Sequence, residues 1–581
     1  MSYGSLPWVI ASVRAASNPT RGGSQERGAA AHVSTLRGGS TYEPPLAFPG
    51  GRVPVRSLGA VAGFAIPRHF NFTRDVVERL AVERGRRAVV FVDGAGETRD
   101  LSFAEVAEAT ARWAGLLRSA GVGKGDRILL LCGKTLDWHP LLLAVLKVGG
   151  IAIPCADMLR GRDLAFRATH SDARLLVADR ATEAEVEVMR AEIESSPDVL
   201  YLDEARSQLD SQPATAATEE TAADDPAFIL YTSGTTKDPK GVVHTHAYTF
   251  AKRFQAERWL AAGPDDLVWC TAGTGWAKSI WNVLLGPWSC GATIVLHEGG
   301  FEVNERLDLI GRLGVTVLCQ APTEYRLEAK AEGLADHDLS RIRHAVSAGE
   351  PLNPEVIKSF REAFGFMIRD GYGQTENTLL VGNFPGMEIR PGSMGVPSPG
   401  HDVHVIDDEG GEHEAGEEGD IALAGHPPTL FAGYWQQPRE TEAVFRNGWY
   451  VTGDRAVRDE DGYLWFAGRA DDVILSAAYR IGPFEVESAL LEHDAVAESA
   501  VVGKPDADRG QIVKAFVVLR SGHDGSATLV RELQDHAKAV TAPYKYPREI
   551  EFIEALPKTR SGKIRRVELR ELEEQRFRDE A

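Results

Sequence analysis

Between Arg127 and Pro154 the chain passes through an apolar run, RILLLC, a helix-spaced apolar stretch from Leu141 to Val148, and a second apolar run, IAIP. A strand with apolar residues at every position has to be covered on both faces, as happens in parallel sheets that carry helices above and below. The pattern predicts strand, helix, strand, and strands alternating with helices predict an α/β fold built on doubly wound sheets. Upstream, Ser102 and Glu105 form a capping-box pair before Val106, Ala109, Trp113, Leu116 and Leu117 at helical spacing, with Gly121 as the stop.

A single core stops growing near about 250–300 residues, and this chain has 581. We expect a flexible tail over residues 1–60, a large N-terminal domain over 61–470 and a small, mobile α+β C-terminal domain over 471–581. After Asn447-Gly448 the character shifts to short strands, with a hairpin signal at Asp461-Gly462 inside RAVRDEDGYLWFAGR. Pro483 and Glu485 open a helix through Val486, Leu490 and Leu491, and the strands SAVVG and IVKAFVVL and a charged last helix complete the small unit. The Ala/Thr/acidic stretch from Ala205 to Asp225 reads as a surface loop.

The net charge of -20 argues against nonspecific nucleic-acid or anionic-membrane binding and leaves room for a local basic pocket. The longest apolar stretch, near Leu141–Cys155, is broken by Lys147, Gly149 and Gly150, so no membrane span is expected. Cys132, Cys155, Cys270, Cys290 and Cys319 show no metal spacing and fit buried thiols in a reducing cytoplasm. The Arg- and Ser-rich, acid-poor start also has the composition of an organelle import signal. It lacks amphipathic periodicity, which favours a plain tail.

The stretch YTSGTTKDPKGVVHTH follows the apolar run AFIL. Thr232, Ser233, Thr235 and Thr236 offer hydroxyls, Gly234 permits close approach, and Lys237 and Lys240 add charge, a set suited to polyphosphate. The spacing of a Walker loop is absent, so another nucleotide chemistry is indicated. Further along stand SAGEPLNPEV (347–356), DGYGQTE (370–376), WYVTGD (449–454), GRADDVI (468–474) and PKTRSGKIRR (557–566).

In this order the motifs resemble those of the acyl-adenylate-forming (AMP-binding) superfamily. The likeness is strongest to its medium-chain acyl-CoA synthetase branch, through NFTRDVVERL, GTGW, APTEYR, AYRIGPFEVE and DRGQIVKAFVVL. The resemblance implies an acid–thiol ligase that uses ATP, Mg²⁺ and CoA. Gly349, Glu350 and Pro351 would pack beside adenine, as would Tyr372 within Asp370-Gly371-Tyr372-Gly373-Gln374. Thr375 would meet the α-phosphate, Glu376 and Thr235 would hold Mg²⁺, and Asp454 would accept both ribose hydroxyls, with Arg469 nearby. Lys563 would be the catalytic cation, and Asp471 the hinge, with Asp472 as its rival or as part of a solvated turn.

Trp276 would border the acyl pocket, and Ala478, Tyr479, Arg480, Arg509 and Lys545 would meet CoA, Arg480 also reaching a nucleotide phosphate. Acetate-restricted relatives carry Trp at the position of Gly373, so the Gly implies an open pocket, with Trp276 and Trp281 lining an apolar tunnel or serving as core aromatics. Some members are silenced by acetylation of the residue matching Lys563, which makes a lysine acetyltransferase and deacetylase candidate partners. Two residues depart from the family form. Lys237 stands for a Gly, and Ala478 for the Gly of SGYR, which puts thioester formation in question. Rival readings are an aromatic acid–CoA ligase, an adenylating enzyme with another acceptor, against which no carrier segment follows the last motif, and a non-catalytic acyl- or nucleotide-binding regulator.

Overall fold

The computed structural model describes residues 65–232, 239–469, 472–476, 479–506, 509–541, 545–558 and 564–580, with the backbone alone for Tyr479, Arg480 and Glu580. The expected tail, Ser233, Gly234, Thr235, Thr236, Lys237, Asp471, Ala478 and Lys563 lie outside the described residues.

Strand Arg127–Leu131, helix Trp138–Lys147 and strand Ile151–Cys155 form as the pattern predicts, the two strands parallel. Ile128 and Leu130 point into one core and Leu129 and Leu131 into another, all four essentially without exposure. Both faces are therefore covered. At the start of helix Phe103–Ser119, Ser102 Oγ accepts from Glu105 N at 3.2 Å while the Glu105 carboxylate accepts from Ser102 N at 2.8 Å, the complete capping box.

Among the described residues, these strands belong to a seven-stranded sheet in the order 433–434, 240–245, 226–232, 151–155, 127–131, 175–178, 198–201. Its last five strands run parallel. A nine-stranded sheet, with six parallel strands from Ile368–Gly373 to Arg87–Val92, packs against it through the largest core. Its edge is the antiparallel hairpin Arg87–Val92 to Thr98–Ser102, which the sequence pattern did not flag. A five-stranded antiparallel sheet, including the expected hairpin Trp449–Arg458 to Leu464–Arg469, completes the large part.

The stretch Ala205–Asp225 is not simply a surface loop. Helix Leu202–Leu209 takes its first residues, with Leu202 and Ala205 buried, and the remainder is stitched to the core. Glu219 N donates to Lys147 O at 2.8 Å, the buried Lys147 ammonium donates to Thr218 Oγ1 at 2.7 Å, and Thr221 Oγ1 donates to Phe70 O at 2.7 Å. A buried lysine needs acceptors; Glu78 pairs with this one and the low-complexity segment adds Thr218.

Past residue 471, helix Pro483–Leu491, strands Val496–Asp506 and Gly510–Leu519 and helix Arg566–Glu580 build the small α+β unit around its own core. Asp472 is not a solvated turn residue. Its carboxylate pairs with Arg570 and lies 3.8 Å from Arg566, whose guanidinium in turn grips Glu487 through two bonds of 2.9 and 2.6 Å.

Candidate active site

The stems of the phosphate loop are strands Pro226–Thr232 and Lys240–Thr245, antiparallel, with Thr232 opposite Lys240. The loop thus closes a hairpin. The Lys240 ammonium sits 4.7 Å over the Tyr434 ring, and Tyr434 belongs to the strand that pairs with the second stem. The Tyr434 hydroxyl donates to Glu376 Oε1 at 2.8 Å. Lys240, Tyr434 and Glu376 therefore form one chain from loop stem to motif. Burial pushes the Glu376 carboxyl up from its ordinary range, opposed by the Tyr434 hydrogen bond and the Lys240 charge.

The DGYGQTE motif continues strand Ile368–Gly373 at the nine-stranded sheet. Asp370 is buried, and its carboxylate accepts from Gly371 N at 2.9 Å and Leu352 N at 3.3 Å, fastening the Gly349-Glu350-Pro351 turn to the motif. Burial pushes its carboxyl up to about 7 despite the two amides. A native Asp370 holds its proton between pH 3.8 and about 7, where an unfolded one has lost it. It therefore stabilises the fold at low pH and loses that contribution as pH rises to about 7. Calorimetry from pH 5 to 7 should show the Tm advantage of the unmodified protein over Asp370→Asn falling as pH rises, because buried neutral histidines such as His244 add a slope of opposite sign that both proteins share.

Asp454 lies within strand Trp449–Arg458 rather than beyond it, next to Gly453 at φ 75°, and is 7% exposed. Its Oδ2 accepts from the Tyr372 hydroxyl at 2.6 Å and from Gln374 Nε2 at 2.7 Å. Gln374 also donates to Thr452 O at 2.9 Å and accepts from the Tyr450 hydroxyl at 3.0 Å. Arg469 faces Asp454 across the hairpin, its Nε 4.0 Å from Oδ1. A carboxylate offers about four lone-pair positions, and two of the donors Asp454 holds sit together on Oδ2. Thr375 is braced from behind, its carbonyl accepting from His244 Nε2 at 2.7 Å. Burial holds that imidazole neutral, its pKa lowered to about 3.

Gly349 adopts φ 110°, a conformation suited to glycine, and the Glu350 carboxylate accepts from Arg326 at 2.8 Å and from Thr323 at 3.1 Å. On the acyl side, Trp276 is half-buried ahead of helix Ala277–Ser279, which continues as the π-wound Ile280–Leu285. A side chain at Gly275 would meet Ala156 N at 2.0 Å, so this loop lies directly on the end of strand Ile151–Cys155. Lys278 donates to Gln320 O at 2.7 Å and Ala348 O at 2.9 Å, tying two strand ends to its helix.

One expectation about the acyl side changes and another is decided. A Cβ on Gly373 would stand 1.9 Å from Thr378 O, so the glycine is required by the backbone behind it and is no measure of open pocket. Of the two readings of Trp281, the core aromatic fits, since it packs against the largest core with its ring 4.3 Å from the buried ammonium of Lys252.

The structure brings Tyr372, Gln374, Asp454 and Arg469 together, and Glu376 with Lys240. Arg509 and Lys545 fall beyond residue 470, the Arg509 N–H donating to Asp506 and the Lys545 ammonium pairing with Glu485. Tyr479 and Arg480 lie on strand Tyr479–Ile481. Tyr434, Lys278 and Lys252 escaped the sequence reading, since each stands in an ordinary apolar or mixed run with no motif spacing, while Tyr450 and His244 stood inside WYVTGD and YTSGTTKDPKGVVHTH with no role of their own.

The model of the AMP-binding enzyme family matches residues 77–435, and that of the AMP-binding enzyme C-terminal domain matches 485–563. The chain is 44% identical over 514 residues to an uncharacterized acyl–CoA ligase, YtcI, of Bacillus subtilis strain 168, covering 88% of this chain and 97% of the relative. It is 41% identical to acyl-coenzyme A synthetase ACSM3, mitochondrial, of Mus musculus, over 87% of this chain and 91% of the other. The crystal structure of the anthranilate CoA ligase AuaEII with anthranoyl-AMP superposes with TM-score 0.82 at 32% identity, covering 87% of this chain and 98% of that one. With both family models matched in order and the motif residues converging on Asp454 and Glu376, the chain belongs to the AMP-binding enzymes.

Proposed function

We propose that the chain is an AMP-forming acyl-CoA synthetase: a carboxylic acid and ATP give acyl-adenylate and pyrophosphate, then the CoA thiol displaces AMP. The observation that carries this reading is the Asp454 carboxylate taking Tyr372 and Gln374 on one oxygen, with Glu376 two residues further along the same motif. Asp454 is thereby fixed in orientation before the ribose arrives to be bound by it. Tyr372, assigned to the adenine side, is anchored by its own hydroxyl bond to Asp454. Glu376 offers a hard carboxylate oxygen beside the loop stems, which fits an ion that takes one or two carboxylates and otherwise phosphate and water. Bound there, Mg²⁺ would neutralise phosphate charge. Thr375 and Lys563 address the α-phosphate, Lys563 also the incoming carboxylate, so that two anions can approach each other.

The domain boundary near Asp471, the lid motion about it, a medium- or short-chain acid, and control by acetylation of Lys563 all belong to this proposal. A cytoplasmic or imported location does too; among the described residues no helix is long and apolar enough to cross a membrane. Because Tyr434 orients Glu376, Tyr434→Phe should raise the Mg²⁺ concentration for half-maximal pyrophosphate release by about 10- to 100-fold. An unchanged Mg²⁺ titration would remove Tyr434 from the site.

The direct test is acid-dependent pyrophosphate release and thioester formation, side by side, over acetate, butyrate, hexanoate, octanoate and benzoate. Both products with a C4–C8 optimum support the reading, and a benzoate optimum favours the aromatic ligase. Pyrophosphate without thioester implicates Ala478 or another acceptor, and neither product with any acid overturns it.

A further inference from the structure

Lys252, on helix His246–Gln255, is 1% exposed. Its ammonium donates to Thr378 Oγ1 and lies 3.5 Å from Gln255 Oε1, 4.1 Å from the Tyr248 ring and 4.3 Å from the Trp281 ring. Among the described residues no carboxylate lies within ion-pair distance of it. Every neighbour is neutral, and burial alone presses its pKa well below the ordinary lysine value. A cation caged by two rings and two neutral oxygens is costly to the fold unless something else completes its shell.

Two further observations bear on what that is. A small cavity lined by Phe254, Gln255, Arg258, Thr378, Ser398 and His401 lies against the two residues that hold the ammonium, so packing is loose on that side of the cage. The cage also lies between the DGYGQTE motif and the helix that follows Trp276, the residue assigned to the acyl side. Thr378 follows Glu376 by two residues and its carbonyl abuts Gly373, while Trp281 is one and a half helical turns beyond Trp276. Both helices that form the cage widen into π turns there, at Ala256–Leu260 and Ile280–Leu285.

We propose that Lys252 reads a second oxygen acceptor on the substrate, so that the preferred acid carries a hydroxyl, carbonyl or second carboxylate on its chain rather than being a plain alkanoate. This inference rests on the acyl-CoA synthetase reading above. The acceptor takes the place of Thr378 or Gln255 at the ammonium and receives a charge-assisted hydrogen bond from it. An alkyl end cannot do so, and a site built to bond a substrate oxygen discriminates strongly against the analogue lacking it.

The test is acid-dependent pyrophosphate release by the full-length protein with matched pairs: butyrate against 4-hydroxybutyrate and succinate, hexanoate against 6-hydroxyhexanoate and adipate. The hydroxy and dicarboxylic arms separate a neutral from an anionic acceptor. The expected result is at least tenfold higher kcat/KM for one oxygenated member of a pair, with that ratio falling at least tenfold in Lys252→Met. Equal or higher kcat/KM for the alkanoates on the unmodified protein overturns the inference without any variant. A ratio unchanged in a folded Lys252→Met, or in Thr378→Val should the first not fold, also overturns it. Release with no acid at all instead removes the synthetase reading beneath it.

Discussion

Lys563→Ala is expected to lower acid-dependent pyrophosphate release by about 10²–10³-fold, while thioester formation from a supplied acyl-adenylate and CoA continues. The first half-reaction brings a carboxylate onto the α-phosphate of a polyanion, and a point charge on a long flexible stem is the side chain suited to sit between them. The second half-reaction expels AMP from a neutral acyl carbon and has no such encounter to screen. Loss of one step and retention of the other is the signature sought, read by pyrophosphate release and by single-turnover thioester formation. Normal adenylation by the variant would take Lys563 out of the chemistry. An equal loss in both steps would mean that the substitution had disturbed the whole C-terminal unit.

Gly373→Ala is expected to cost about 2–3 kcal/mol of stability and to lower adenylation by about 100-fold. The added Cβ would stand 1.9 Å from Thr378 O and 2.8 Å from Thr378 C, backbone atoms that cannot step aside as a side-chain tip can. Relief of that clash shifts the turn carrying Gln374 and Glu376, the residues that orient Asp454 and meet Tyr434. Thermal melting and pyrophosphate release over the same acid series check both halves. A stable variant with a shortened acid preference would show instead that Gly373 simply leaves the pocket open.

The parts of this molecule set by neighbours in the chain were legible in advance. The capping box at Ser102 and Glu105, the doubly covered strand at Arg127–Leu131, the hairpin around Asp461-Gly462 and the helix opened by Pro483 each depend on a few adjacent residues. What escaped depends on partners far along the chain. Tyr372 meets Asp454 across 82 residues, Tyr434 meets Glu376 across 58, and Lys252 meets Thr378 across 126. Family motifs pointed to Asp454 and Glu376 but carried no trace of Tyr434 or Lys252, whose own surroundings read as ordinary core. The Ala205–Asp225 stretch misled for a related reason, since its composition suggested solvent while Thr218 and Thr221 serve buried donors and acceptors.

The hairpin stems at Thr232 and Lys240 have a regulatory corollary. A loop that runs from a strand into a helix gives phosphate a standing half-charge from aligned peptide dipoles, which no modification or chelator can take away. A loop between two antiparallel strands has no such reserve. Under the proposed function its charge compensation would rest, beside the hydroxyls, on lysine ammoniums and a divalent ion, and these are detachable: an ammonium can be acylated, an ion sequestered, a surface charge screened by salt. Such a catalyst can be dimmed in steps while its fold stays intact, and restored by returning the missing charge.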